Sequence, residues 1–196
     1  KHYNTVIHIG LHKTATGVLQ RQFFPAINEV NLLTTQNPVF KHFVNLVTEQ
    51  DPIYFDADAA FNLLKPELNE NKVNVISNES LSALPYSGVI EAGLDHRSPI
   101  LSNLRSVFPD ARILLVLRKQ DGMARSLYRQ YLKSGGTRSI ERFYARGKEL
   151  SSEPVVTVDR FLYSRYVDKV FELFPDRVLL MAYENFVADR QGFVQT

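Results

Sequence analysis

A short loop near the start of the chain carries residue types that bind phosphate or sulfate. Gly10 follows an apolar run and precedes Lys13, Thr14 and Thr16. Where a strand turns into a helix, the helix N-terminus offers unpaired backbone N–H groups and the positive end of a dipole. The glycine lets the backbone approach an anion closely, and the lysine adds a mobile positive charge. The spacing therefore predicts an anion-binding loop, shorter than the Walker A pattern GxxxxGK[ST].

A second candidate anion site lies where another apolar run ends. Arg118 directly follows residues 112–117, and Ser126 lies eight positions later on a helix predicted to begin near Asp121. A guanidinium group can hold a phosphate as a two-pronged donor, and a hydroxyl group adds a neutral donor. Arg118 and Ser126 are therefore candidates to bind a second phosphate beside the first loop.

Two residues are candidates for a general base. Glu79 follows the apolar run 73–77, and we expect partial burial to raise the pKa of its carboxyl group toward neutrality. His12 is the alternative, because the adjacent Lys13 favours the neutral imidazole that can accept a proton. The sequence leaves both alternatives open.

Alternating strands and helices are predicted to bring these residues together. Near-continuous apolar character is typical of strands buried on both faces, and it occurs at residues 5–9, 73–77, 112–117 and 177–182. Helical spacing of apolar residues occurs at 16–24, 57–68, 99–107, 121–133 and 159–174. This pattern predicts a three-layer α/β/α domain with a mainly parallel central sheet. Ligands of such sheets bind beyond the carboxyl ends of the strands, where the candidate residues lie.

One turn is predicted to occur twice. The sequence Phe-Pro-Asp occurs at 108–110 and again at 174–176, each time between a helical segment and an apolar run. Proline stops the helix and aspartate favours the turn, so both segments predict the same helix-to-strand connection.

Composition narrows the class of protein. The 196 residues fit one domain, 1–196, and 44% apolar with 22% charged residues excludes a disordered chain. A net charge of +2 gives no reason to expect binding to nucleic acid. The absence of cysteine excludes disulfides and cysteine-ligated metals, and the five histidines form no convincing ligand set. No apolar run approaches the roughly 20 residues of a membrane span.

The compartment is weakly constrained. The lack of cysteine favours a reducing, cytoplasmic location. The chain begins at Lys1 rather than methionine, so a leader or anchor preceding it stays open.

Three segments resemble the family of sulfotransferases that use 3′-phosphoadenosine 5′-phosphosulfate (PAPS). Residues 8–20 resemble that family's 5′-phosphosulfate loop, Gly-x-x-Lys-[Ser/Thr]-Gly-Thr-[Thr/Ser]. Arg118 and Ser126 have the spacing of the 3′-phosphate segment, and residues 178–186 resemble a later strand that ends in Tyr-Glu-Asp-Leu. The resemblance implies a P-loop-NTPase-like fold and a bacterial or carbohydrate type of enzyme.

The chain departs from the family pattern in several places. Ala15 replaces the usual glycine of the loop, Gly17 replaces its last hydroxyl residue, and Gln120 stands where proline is common. We expect the backbone at Ala15 to be more nearly helical, since a Cβ must be accommodated there. The family's glycine-rich loop that covers the nucleotide is not found before Thr196, which leaves two alternatives: a chain truncated at its C-terminus, or a different residue set in that role.

The resemblance also implies a reaction and roles. A sulfuryl group would move from PAPS by in-line displacement to a hydroxyl or amine of an acceptor such as a glycan or lipid-linked glycan. Lys13 would stabilise the charge on the leaving oxygen, and Glu79 or His12 would accept the proton. Adenosine 3′,5′-bisphosphate is the product, and no metal is required. The remaining residues implied to bind the donor are Gly10, Thr14, Ala15, Thr16, Gly17, Arg118 and Ser126.

Two other functions stay open from the residues alone. A P-loop phosphotransferase using Mg-ATP would need a longer loop and an acidic residue to organise the metal, for which Glu79 is the candidate. A non-catalytic module that binds anionic glycans would need a basic surface stripe, for which the candidates are Arg138, Arg142, Arg146 and Lys148. The residues expected to line an acceptor cleft are Phe40, His42, Phe43, Tyr54, Phe55, Tyr86 and His96.

Overall fold

The computed structural model of the chain describes residues 3–83, 97–145 and 156–189. The strands of these residues are β1 (Thr5–Gly10), β2 (Val30–Leu33), β3 (Val73–Ser77), β4 (Arg112–Leu117), β5 (Tyr144–Ala145), β6 (Val156–Thr157) and β7 (Val178–Ala182). In this part of the chain, five strands form one parallel sheet in the order β2-β3-β1-β4-β7. The short strands β5 and β6 pair with each other. The four predicted strands are confirmed to within one residue, and β2 was not predicted.

Apolar side chains cover both faces of the central strands, which explains their near-continuous apolar runs. In the edge strand β7, by contrast, Leu179 and Leu180 are exposed, so the expectation of a strand buried on both faces is wrong there. In β1, Ile7 and Ile9 belong to the larger core cluster, whereas Val6 packs against the smaller cluster on the opposite face. In β4, Ile113 and Leu115 alternate in the same way with Leu114 and Val116. The sheet is therefore the middle layer of an α/β domain.

The α-helices of the described residues are α1 (Thr16–Val18), α2 (Pro38–Glu49), α3 (Ala57–Leu64), α4 (Arg97–Val107), α5 (Gln120–Lys133), α6 (Ile140–Phe143), α7 (Tyr163–Leu173) and α8 (Tyr183–Ala188). Helical turns are confirmed at 57–68, 99–107 and 121–133, and α7 with the preceding 3₁₀ turn Val158–Phe161 covers most of 159–174. One continuous α-helix over 16–24 is wrong. There α1 is followed by a π-helical turn, Leu19–Phe23, and a 3₁₀ turn, Phe24–Ala26.

Helix α2 overturns part of the expected acceptor cleft. The Asn37 side chain accepts a hydrogen bond from the Phe40 backbone N–H, and Pro38 occupies the first turn. Phe40 and Phe43 are then fully buried in the core, so their assignment to a cleft is wrong. Of the other cleft residues, His42 and Tyr54 are exposed and Phe55 packs against the core, while Tyr86 and His96 lie outside the described residues.

The repeated Phe-Pro-Asp turn is confirmed at the amino ends of β4 and β7. Phe108 and Phe174 are both buried, and each closes the preceding helix with a backbone hydrogen bond. The two turns also contact each other, since Arg177 donates to Asp110 at 2.9 Å. They hold the end of the sheet opposite to the candidate site.

No helix within the described ranges has the length and apolar character needed to cross a bilayer.

Asn103 on α4 offers a test of how the helices are held together. Its side-chain amide is buried and donates to the backbone carbonyls of Val47 (3.0 Å) and Gln50 (2.9 Å) at the end of α2. Replacing Asn103 with alanine leaves both carbonyls without this donor, so we expect the free energy of unfolding to fall by about 1–3 kcal/mol in urea denaturation. The control Asn45→Ala, on the exposed side of α2, should change it by less than about 0.5 kcal/mol. Equal losses in the two variants would contradict this account.

Candidate active site

The carboxyl ends of four parallel strands bring the predicted site residues to one edge of the sheet. β1 pairs with β3 and β4, with Gly10 opposite Val116 and His8 opposite Ser77. β4 in turn pairs with β7. The loop after β1, the turn after β3, Arg118 after β4 and Tyr183 after β7 therefore lie at the same edge.

The loop after β1 has an unusual backbone. Lys13 and Ala15 both have positive φ angles, 69° and 63°. Ala15, with ψ of 18°, is in the left-handed region, so the expectation of a nearly helical backbone there is wrong. This conformation costs an alanine about 1 kcal/mol relative to a glycine, the residue that the resembling family has at this position. The loop thus keeps its left-handed turn despite the Cβ.

A glycine is required at position 10 because there is no room for a side chain, and not because of its φ angle. A Cβ on Gly10 would lie 2.2 Å from the Thr16 hydroxyl oxygen and 3.2 Å from Nε2 of His8. A Cβ atom does not approach a nonbonded oxygen as closely as 2.2 Å, so an alanine would displace the Thr16 side chain. The glycine therefore lets Thr16 fold back over the end of β1.

The two threonine side chains of the loop have different surroundings. The Thr14 hydroxyl is buried and donates to the Leu11 carbonyl, so it stabilises the loop itself. The Thr14 hydroxyl proton is therefore used within the loop. The Thr16 hydroxyl oxygen is also buried, and it has no hydrogen-bond partner among the described residues. Gly17 follows it in α1 and offers only its backbone N–H.

Lys13 and Arg118 connect the two predicted anion segments. The exposed Lys13 ammonium group donates to Oε1 of Gln130 on α5 at 3.1 Å. The Arg118 guanidinium group donates to the backbone carbonyl of Lys13 at 2.8 Å and stacks over the Tyr183 ring at 4.5 Å. Nε of Arg118 is buried and has no partner among the described residues. Two contacts thus hold Arg118 in place, and its Nε–H is left to donate to a ligand.

Helix α5 places the other residue of the second segment. Ser126 is half-buried on this helix, which begins two residues after Arg118. Gln120, at the position where the family often has proline, donates its side-chain amide to the Phe161 carbonyl at 2.7 Å. Gln120 therefore ties the start of α5 to the segment before α7.

Glu79 and His12 are neighbours. His12 Nδ1 lies 3.5 Å from a carboxylate oxygen of Glu79, and Nε2 donates to the Ala83 carbonyl at 3.2 Å. The hydrogen bond from His12 is the main cause that lowers the pKa of Glu79; partial burial opposes it, and the charges of His12 and Lys13 add to it. The expectation of a raised pKa at Glu79 is therefore wrong. Glu79 is a half-exposed carboxylate that stays ionised at neutral pH.

A small cavity opens beside His12. Its apolar wall is formed by side chains from the first loop, from the turn after β3, from α5 and from the segment before α7: Leu11, Ala83, Met123, Leu127 and Phe161. Its polar wall is formed by His12, Ser82, Arg97, Arg160 and Tyr163. Arg97 is buried, donates to the Arg160 carbonyl at 3.2 Å and lies over the Tyr166 ring.

Some site residues were not identified from the sequence. Tyr183 carries the stacking surface for Arg118, and Gln130 binds the Lys13 ammonium group. Tyr183 follows an apolar run directly, which is a pattern that places a residue at the site edge. Gln130 is a polar residue on a helix and has no such pattern. Glu184 accepts a hydrogen bond from the Lys119 backbone N–H at 3.0 Å.

The described residues contain no group of three or more His, Asp or Glu side chains that could hold a metal ion. Arg138 and Arg142 are exposed, and the other two residues of the suggested basic stripe, 146 and 148, lie outside the described residues.

Comparison with known proteins shows the fold. No protein-family model matches the chain, and no curated protein matches it. Among solved structures, the crystal structure of a sulfotransferase from Alicyclobacillus acidocaldarius superposes with a TM-score of 0.65 at 20% sequence identity. The match covers 100% of this chain and 78% of that chain. The predicted P-loop-like α/β fold class is confirmed, and this chain shares its fold with a sulfotransferase.

The contact between His12 and Glu79 predicts how the stability of the fold depends on pH. The pKa of Glu79 is lowered in the folded state, so this pair stabilises the fold above the ordinary glutamate pKa, and the contribution is lost as pH falls through the lowered value. Replacing His12 with alanine should raise the pKa of Glu79, measured by NMR titration of its carboxyl group. Lys13→Ala, which removes the weaker cause, should raise it less. A larger rise in Lys13→Ala, or none in His12→Ala, would show that another group holds the carboxylate ionised.

Proposed function

We propose that this protein transfers a sulfuryl group from PAPS to a hydroxyl or amine group of an acceptor. The observation that carries the proposal is the hydrogen bond from Arg118 to the Lys13 carbonyl. It joins the two segments that resemble the 5′-phosphosulfate and 3′-phosphate sites of PAPS-dependent enzymes, on the neighbouring strands β1 and β4. The fold shared with a sulfotransferase supports the same conclusion.

Two buried polar atoms fit an anionic donor. The Thr16 hydroxyl oxygen and Nε of Arg118 have no partner among the described residues. A buried polar group without a partner costs about 1–3 kcal/mol, so such groups usually meet a ligand or water. Thr16 with the backbone N–H groups of residues 14–17 would hold the 5′ end of PAPS. Arg118 with Ser126 would hold the 3′-phosphate, which distinguishes this donor from ATP.

We assign Lys13 to stabilising the negative charge on the leaving group. Sulfuryl transfer breaks the bond between sulfur and the bridging oxygen, and that oxygen leaves with the electron pair as part of adenosine 3′,5′-bisphosphate. A cation beside this oxygen lowers the barrier most when it is held in place beforehand. The Lys13 ammonium group is exposed and bonded to a neutral amide, that of Gln130, so its charge is not neutralised by that partner.

We assign Glu79 as the base that takes the proton from the acceptor. As the acceptor oxygen forms its bond to sulfur, its proton must leave for a base. Glu79 is ionised and half-exposed, whereas both ring nitrogens of His12 already face oxygen atoms, those of Glu79 and Ala83. We therefore assign His12 to positioning the carboxylate, with the acceptor approaching from the cavity beside His12.

Nucleotide binding is the direct test. Calorimetric titration with adenosine 3′,5′-bisphosphate should give roughly micromolar affinity, and Mg-ATP should bind far more weakly. Arg118→Ala should weaken the bisphosphate by about 10-fold or more, because it removes charge-assisted hydrogen bonds to the 3′-phosphate. The matched control is Arg125→Ala on α5, the helix that follows Arg118; the exposed Arg125 side chain pairs with Asp121. Arg125→Ala should bind like the unaltered protein.

Other results would point to other functions. Preferential binding of Mg-ATP would contradict the proposal and favour a phosphotransferase. Binding of neither nucleotide, together with binding of a sulfated glycan, would favour the non-catalytic module.

A further inference from the structure

A chain of hydrogen bonds lies behind the first loop. The Gln20 side-chain amide donates to the Ser77 carbonyl at 2.9 Å and to the Ser77 hydroxyl at 3.0 Å. The same hydroxyl oxygen lies 2.7 Å from Nδ1 of His8. His8 and Ser77 are fully buried on the neighbouring strands β1 and β3. The mechanism above uses none of these three residues.

This arrangement favours one position for the ring proton of His8. The Ser77 hydroxyl oxygen already accepts a hydrogen bond from Gln20. Among the described residues, Nδ1 of His8 is the acceptor for the hydroxyl proton of Ser77. Nδ1 is then an acceptor, and the ring proton lies on Nε2. Burial lowers the pKa of His8 to about 4, so the ring is neutral at physiological pH and has one N–H to donate.

Nε2 of His8 and the Thr16 hydroxyl oxygen meet at Gly10. They lie 3.2 Å and 2.2 Å from the point that a Cβ on Gly10 would occupy. Both atoms are buried, and neither has a partner among the described residues. They are therefore not hydrogen-bonded to each other, but both lie so close to the same point that one water molecule can bridge them.

We propose that His8 is a positioning residue for Thr16. Its Nε2–H donates to a water molecule that in turn donates to a lone pair of the Thr16 oxygen, which leaves the Thr16 hydroxyl proton free to point at the anion in the loop. Thr16 then acts as a donor of fixed direction rather than as a rotating hydroxyl. The inference rests on the proposed function, in which this loop holds the 5′ end of PAPS.

A double-mutant cycle tests this role. His8→Asn keeps an acceptor for Ser77 and removes the donor toward Thr16, whereas His8→Gln places an amide N–H near the position of Nε2. Thr16→Val removes the hydroxyl group at nearly constant volume. Binding of adenosine 3′,5′-bisphosphate is measured by calorimetry for each variant, after circular dichroism has established that it folds.

The expected result is strong coupling between the two positions. Thr16→Val should weaken binding about 10-fold, and His8→Asn should weaken it several-fold in the unaltered protein. In the Thr16→Val background, His8→Asn should have almost no further effect on binding. The single variant His8→Gln should bind the bisphosphate nearly as tightly as the unaltered protein. Equal effects of His8→Asn in both backgrounds would overturn the proposal.

A second measurement needs no variant. Long-range ¹H–¹⁵N NMR of the unaltered protein should show the His8 proton on Nε2 from about pH 5 to 8, because the lowered pKa keeps the ring neutral. A proton on Nδ1 would overturn the role of His8 while leaving the donor site intact. Failure of the unaltered protein to bind the bisphosphate would instead overturn the proposed function, and with it the role of His8.

Discussion

The candidate site depends on the parallel pairing of β1 with both of its neighbours. The register of β1 with β3 and β4 brings the first loop, the turn that carries Glu79 and the start of the Arg118 segment to one edge. This pairing is fixed by burial, because alternate side chains of β1 and β4 fill the cores on opposite faces of the sheet. A shift by one residue would exchange those faces and separate the site residues.

The conformation of the first loop follows from the lack of room for a side chain at Gly10, the end of β1. Thr16 lies where a side chain of Gly10 would be, and the loop reaches that position through left-handed backbone at Lys13 and Ala15. The Thr14 hydroxyl and the Arg118 guanidinium group bind loop carbonyls and hold this conformation. The loop is therefore preorganised before any ligand binds, which is the condition under which electrostatic stabilisation is most effective.

The sequence predicted the strands and the edge of the sheet at which the site lies, because strands buried on both faces leave uninterrupted apolar runs. It did not predict α2, whose buried phenylalanines were interpreted as cleft residues, because aromatic residues are equally compatible with a core and with a binding surface. It also placed the pKa of Glu79 on the wrong side of its ordinary value. That direction depends on the contact with His12, which is 67 residues away in the chain and is formed only by the fold.

Mapping the binding of adenosine 3′,5′-bisphosphate by NMR on the ¹⁵N-labelled chain would locate the donor site. We predict that the largest amide shifts occur at residues 13–17 and around Arg118 and Ser126, with little change at the opposite end of the sheet near Asp110 and Arg177. Shifts confined to other surfaces, or none at millimolar nucleotide, would contradict a PAPS-binding site at this edge.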